Sequence, residues 1–123
     1  MSEIKSYQDL IVWQKAMDLV VLVYQATRLF PKEELYGLTS QVRRAVVSIP
    51  SNLAEGHARK SRAEFLNFVS IAQGSRAEVE TQIMIAVRLS YIHQDQAVPM
   101  QHLLLEIGKM LNTLKTRLLG NRG

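Results

Sequence analysis

Residues 37–56 read GLTSQVRRAVVSIPSNLAEG, and the fold follows from how this stretch is read. Leu38, Val42, Ala45/Val46, Ile49 and Leu53 recur at intervals of three and four, the spacing of an apolar stripe on one side of a helix. The other side lacks the Lys/Glu mixture of a solvated face. It carries Ser40, Gln41, Arg44, Ser48, Ser51, Asn52 and Glu55, mostly short and polar. Such side chains let another backbone come close and hydrogen-bond across the contact. Pro50 removes the amide that would bond the carbonyl of Val46, which predicts a bend. The apolar spacing stays in phase through Leu53, favouring one kinked helix over a helix that stops at Pro50 and restarts behind a Ser51 cap.

Outward from this stretch, the chain predicts three more helices. The first spans about residues 7–30 and stops before Pro31. Leu10, Trp13, Met17, Val20/Val21, Tyr24 and Leu29 form its expected core stripe. Between Ala16 and Tyr24 it is apolar almost all round, which points modestly to a subunit contact, although a single exposed apolar side chain is common. The second, about 34–56, starts at Glu33 or only after Gly37, and Gly56 is its expected C-cap. The third, about 62–92, opens on a capping box, Ser61 to Glu64. Phe65, Phe68, Ala72, Ser75, Val79, Ile83 and Ala86 face the core. Ser70, Gly74, Ala77 and Thr81 form a uniformly small second stripe, expected to meet another helix or subunit closely. The fourth, about 96–119, is expected to be capped by Asp95, with Pro99 in its first turn and an ion pair from Glu106 to Lys109. Met100, Leu103/Leu104, Ile107, Leu111, Leu114 and Leu118 supply its core stripe, and Asn121 to Gly123 are expected to fray. Short connections between four helices predict an all-α, antiparallel up-down-up-down bundle with a kinked second helix, one domain over residues 1–123.

Composition agrees with one globular domain. The chain has 123 residues, 47% hydrophobic and 21% charged, and is long enough to bury about two-thirds of its unfolded surface. It holds no cysteine, so disulfides and thiolate metal sites are excluded and a cytoplasmic setting is expected. No signal-peptide order is seen at the N-terminus, and the longest apolar run, Leu19 to Val23, is far too short to span a bilayer. The net charge of +4 is mild for a monomer, but around a ring of copies it would build a sizeable positive field.

Catalysis finds no constellation. A di-iron bundle needs Glu-x-x-His pairs; Glu55 and Glu106 have no histidine three residues on, and His57, His93 and His102 fall at helix ends or linkers. Ser48 and Ser51 have no histidine at a triad-like spacing, Gly37 and Gly56 punctuate helices rather than cradle phosphate, and Glu78 and Glu80 point to different helix faces. The expectation is no enzyme, no metal and no cofactor. The cations say more. Arg43 and Arg44 are adjacent in the second helix, and Arg59, Lys60 and Arg62 cluster in the linker to the third. These five are the candidate phosphate contacts; an ordinary solvated surface, or ion pairs of Arg43 and Arg44 with Glu55, Glu78 or Glu80, accounts for them as well. No aromatic residues interleave them and there is no helix-turn-helix signature, so any nucleic-acid contact is expected to be backbone-directed. The expected oligomer interface is Ser40, Arg44, Ser48, Ser51, Asn52, Ser70, Gly74, Ala77 and Thr81.

Four blocks carry a family likeness: YQDLIVWQKAM at 7–17, FPKEELYGLTSQVRRAVVSIPSNLAEG at 30–56, SRAEFLNFVSIAQGSRAEVETQ at 61–82 and EIGKMLN at 106–112. Together they closely resemble the bacterial four-helix-bundle proteins encoded in intervening sequences of 23S ribosomal RNA genes. The resemblance implies a small cytoplasmic bundle assembling as a homopentameric ring, without established enzymatic activity. That family is also similar to the accessory protein of diversity-generating retroelements, a basic barrel that works with a reverse transcriptase and RNA. Two functional expectations follow. One is a non-enzymatic oligomeric module that contacts RNA or DNA through phosphates. The other is a scaffold or accessory subunit for a protein partner such as a reverse transcriptase, without a direct nucleic-acid role.

Overall fold

The computed structural model describes residues 5–120. Among them are four α-helices and no strand: α1 (Ile11–Thr27), α2 (Leu38–His57), α3 (Arg62–Arg88) and α4 (Gln94–Gly120), with short 3-10 turns at Tyr7–Asp9 and Lys32–Glu34. The fraying expected of Asn121 to Gly123 lies outside the described residues. Each helix packs against its chain neighbours, α1 also packs on α4, and the diagonal pairs do not approach. Gly56 meets Phe65 and Phe68 while Ser48 meets Ser75, so α2 and α3 run in opposite directions. Gln73 reaches Gly108 and Asn112, and Arg76 also lies on Gly108, across α3 and α4.

α2 matches its sequence reading most closely. It passes through a buried Pro50 as one continuous helix, which removes the alternative of a stop there. Val42, Ala45, Val46, Ile49 and Leu53 are buried as expected, joined by Thr39 and Gly56. The helix starts only after Gly37. Its first turn is served from a distance, because Glu34 Oε1 accepts from the Leu38 amide at 2.9 Å. Gly56 is not a left-handed cap, for no glycine with a positive φ occurs among the described residues. It lies within the helix, where a Cβ would stand 2.5 Å from Phe68 Cβ. Its missing side chain is what lets α2 and α3 touch.

α1 is shorter than expected and is rotated. Leu10 is extended, so the 3-10 turn at Tyr7–Asp9 stands apart from the helix. At the other end, the amides of Arg28, Leu29 and Phe30 bond three residues back, a tightening that Pro31 then terminates. The buried face is Val12, Ala16, Leu19, Val23 and Thr27. Met17, Val21, Tyr24 and Leu29, expected inside, are 41%, 55%, 39% and 55% exposed. A helix apolar nearly all round offers two stripes, and the inner one here contains the small Ala16 and Thr27, which allow close packing. Thr27 satisfies its buried hydroxyl on the carbonyls of Val23 and Tyr24.

α3 ends at Arg88 rather than near residue 92. Leu89, Ser90 and Tyr91 close it in a Schellman motif: the Tyr91 amide bonds Ala86 O and the Ser90 amide bonds Val87 O. Ser90 takes the left-handed position, φ 63°, normally held by glycine. At its start, Ser61 Oγ accepts from the Glu64 amide, but the Glu64 carboxylate returns to the Ser61 hydroxyl and not to its backbone. Gln82 is buried with its Oε1 unpaired. α4 begins one residue before Asp95, which therefore sits in the first turn instead of capping it. Gln96 Oε1 accepts from the His93 amide, and Pro99 falls in the second turn. Glu106 does not pair with Lys109. It bridges to Lys15 of α1 at 2.9 Å, tying the first and last helices together.

Candidate nucleic-acid interface

The five candidate phosphate contacts do not form one patch. Arg44 and Arg59 are fifteen positions apart on or just beyond α2, about 22 Å along its axis at ~1.5 Å per residue. Arg43 is committed elsewhere: its Nε donates to Thr27 Oγ1 at 2.8 Å and its guanidinium lies 4.7 Å from the centroid of Tyr24. It staples α2 to α1. Arg44 is exposed. It stands between two grooves, one of about 640 Å³ against α1, shared with Tyr24, Leu35, Tyr36 and Val47, and one of about 510 Å³ against α3, shared with Ser48, Ser75 and Glu78.

The linker cations are placed differently. α2 ends at His57 and α3 starts at Arg62, so Arg59 and Lys60 project from the turn at one end of the bundle. Arg59 is paired with Glu55 at 3.2 Å and covers the Phe68 ring at 5.1 Å. The pair is exposed, so it is weak and exchangeable. Arg62 lines a pocket of about 440 Å³ with Ala63, Leu66, Leu118 and Leu119. That pocket brings the end of α4 to the linker. Arg117 accordingly stands at the same end, lining with Lys109 a neighbouring groove against Asp9 to Val12. Lys115 lies on the same last turns of α4. The acids nearby are engaged: Glu55 with Arg59, Glu64 with the Ser61 cap, and Asp9 with the amides of Lys5 and Ser6. One end of the molecule thus presents the exposed Arg59, Lys60, Arg62 and Arg117, with the half-buried Lys115 on the same turns of α4. Lys115 and Arg117 were missed in the sequence because they lie about fifty residues from the linker. The bundle topology was the available signal, since it returns the end of α4 to the α2–α3 turn.

The expected oligomer interface divides in the same way. Ser48 and Asn52 use their polar atoms inside the chain: Ser48 Oγ lies 2.9 Å from Ser75 Oγ, and Asn52 Nδ2 donates to Ser48 O and Oγ, both at 2.8 Å. Ser40 is half-buried, and Arg44 and Ser51 face outward. Ser70, Gly74, Ala77 and Thr81 lie along α3; all four are exposed, and nothing lies within 4 Å of where a Gly74 Cβ would stand.

Among the described residues two groups titrate away from their ordinary values, both at the opposite end. The Tyr91 hydroxyl donates to Glu34 Oε2 at 2.7 Å and, with the Leu38 amide, holds the Glu34 carboxyl below its usual 4.5. The same carboxylate raises Tyr91 above 10.0. Their contacts tie a turn to two helices. Among the described residues, no cluster of three or more His, Asp or Glu side chains is placed to hold a metal ion. No helix there is long and apolar enough to cross a membrane.

The chain matches the family model of the 23S rRNA-intervening sequence proteins over residues 8–113. It belongs to that family. A crystal structure at 1.70 Å of a protein of unknown function, from the S23 ribosomal protein family of Bacteroides thetaiotaomicron, is similar to it with a TM-score of 0.78 and 26% identity, covering 85% of this chain and 98% of that one. No curated protein matches the chain.

Proposed function

We propose that this member of the 23S rRNA-intervening sequence protein family is a non-enzymatic, oligomeric binding module that contacts nucleic acid through phosphates, and that the contact is made by the basic end of the bundle. The carrying observation is the convergence of Arg59, Lys60 and Arg62 with Lys115 and Arg117 at one end while the nearby acids are occupied. Guanidinium forks and ammonium groups without a base-reading element suit backbone contact of low sequence selectivity. Assembly into a homopentameric ring would repeat this end around one axis, and with +4 per copy the fields would add. The outward apolar strip of Met17, Val21 and Tyr24 and the open small stripe of α3 supply surfaces for such an assembly. We place this action in the cytoplasm, in keeping with a cysteine-free chain.

The test is retention on RNA and DNA across a salt series, with mass in solution measured alongside. Wild type should be retained, with log affinity falling against log salt by about 0.9 per phosphate contacted on duplex. Arg59→Glu/Lys60→Glu/Arg62→Glu should abolish retention while helicity and oligomer mass hold. Retention unchanged by that triple reversal refutes the basic end as the binding surface. No retention of wild type favours the protein-scaffold reading instead.

A further inference from the structure

The basic end carries charge without an open aromatic face. His57 packs edge-on against Phe65, ring centroids 5.7 Å apart, and Tyr7 meets Trp13 in the same way at 5.3 Å. The Phe68 ring is covered by Arg59. All five rings are half-buried. The two exposed aromatic side chains, Tyr24 and the 93% exposed Tyr36, belong to the groove at the start of α2, toward the other end of the bundle, and Arg43 already lies over Tyr24. Proteins that hold single strands without sequence preference place successive bases on aromatic faces beside their cations. This end has only the cations. A duplex keeps its bases paired, asks for no stacking surface, and offers phosphates at about twice the linear density of one strand. The cations also come from separate places, the α2–α3 turn, the start of α3 and the last turns of α4. Arg62 and Arg117 line different pockets, so the cations do not share one groove for a single strand.

We infer that the ligand of the basic end is a nucleic-acid duplex, gripped by its backbone with the bases left paired. This rests on the nucleic-acid reading above and narrows it. The probes are an RNA duplex, a DNA duplex of the same sequence, and unstructured oligouridine and oligothymidine of equal length, titrated at one salt concentration. At least one duplex should bind about tenfold tighter or more than either single strand. Preference between the two duplexes identifies the sugar. Lys60→Glu/Arg117→Glu, neither residue having a partner among the described residues, should flatten the duplex salt slope by about 0.9 for each phosphate no longer neutralised. Trp13, the single tryptophan and packed at this same end, should keep its emission on saturation with duplex. Single strands binding as tightly as duplexes, or quenching Trp13, overturn the duplex inference while leaving the nucleic-acid reading standing. Failure of all four probes to bind overturns both.

Discussion

Tyr91, just past the end of α3, donates its hydroxyl to Glu34, in the turn that leads into α2, at 2.7 Å across 57 residues of sequence. The other oxygen of Glu34 accepts from the first amide of α2, and the Tyr91 ring tilts against Phe30 at 5.5 Å. One carboxylate thus serves as a remote cap for α2 and an anchor for the end of α3.

That arrangement predicts a defined pH response. Glu34 is held below 4.5 in the folded chain, so its contribution is present above its unfolded value and is lost as pH falls through the lowered folded value. Tyr91 is raised above 10.0, so its contribution is present below its unfolded value and is lost as pH rises through the raised one. The melting temperature of Tyr91→Phe should therefore fall less steeply on the acid side than that of wild type, and Glu34→Gln should lower stability at neutral pH. Superimposable acid limbs for wild type and Tyr91→Phe would show that the hydroxyl does not hold the carboxylate.

Ser90 performs a glycine's task. At φ 63° its Cβ is crowded against the backbone, yet its amide and that of Tyr91 close the end of α3. Ser90→Gly should stabilise the chain by up to about 1 kcal/mol, or about 4 °C in thermal melting of a domain of this size. A lower melting temperature would mean that the Ser90 side chain has a role beyond its backbone.

Two glycines should respond in opposite ways to the same change. Gly56→Ala places a methyl 2.5 Å from Phe68 Cβ, an atom fixed close to its own backbone, and should cost about 1–3 kcal/mol. Gly74→Ala meets no atom within 4 Å and should stabilise the isolated chain by up to about 1 kcal/mol. Denaturant titration separates the two. If Gly74 faces a neighbouring copy, its alanine variant will also lower the assembled mass in solution. Full assembly by Gly74→Ala removes that residue from the subunit contact.

Four helices, their approximate extents and the buried sides of α2 and α4 were legible in the sequence because each has one dominant apolar stripe. α1 was misread because it has two. The choice between Met17/Val21/Tyr24 and Val12/Ala16/Leu19/Val23 is made by how closely α2 and α4 approach, and small residues win that competition without any hydropathy signal. Gly56 was read as local punctuation, whereas its cause is tertiary: the Phe68 side chain opposite. Ser48 and Asn52 were assigned to a neighbouring subunit, but their hydrogen bonds stay within the chain, to Ser75 and to each other. Short polar residues announce a close contact without saying with whom. The linker cations were legible as a cluster. Their company with Lys115 and Arg117 depends on where α4 comes back to, which no local pattern encodes.

The uneven placement of cations also bears on any assembly. Each bundle carries Arg59, Lys60 and Arg117 at one extremity, whereas at the other Arg28, Lys32 and Arg88 are balanced by Glu33, Glu34 and Asp95. Copies standing side by side in the same orientation would yield a ring with unlike mouths, one a collar of positive potential and one close to neutral. Copies alternating head to tail would cancel that asymmetry, so the polarity of the stack, and not its size alone, determines whether a phosphate backbone meets one concentrated rim or a dilute scatter of charge.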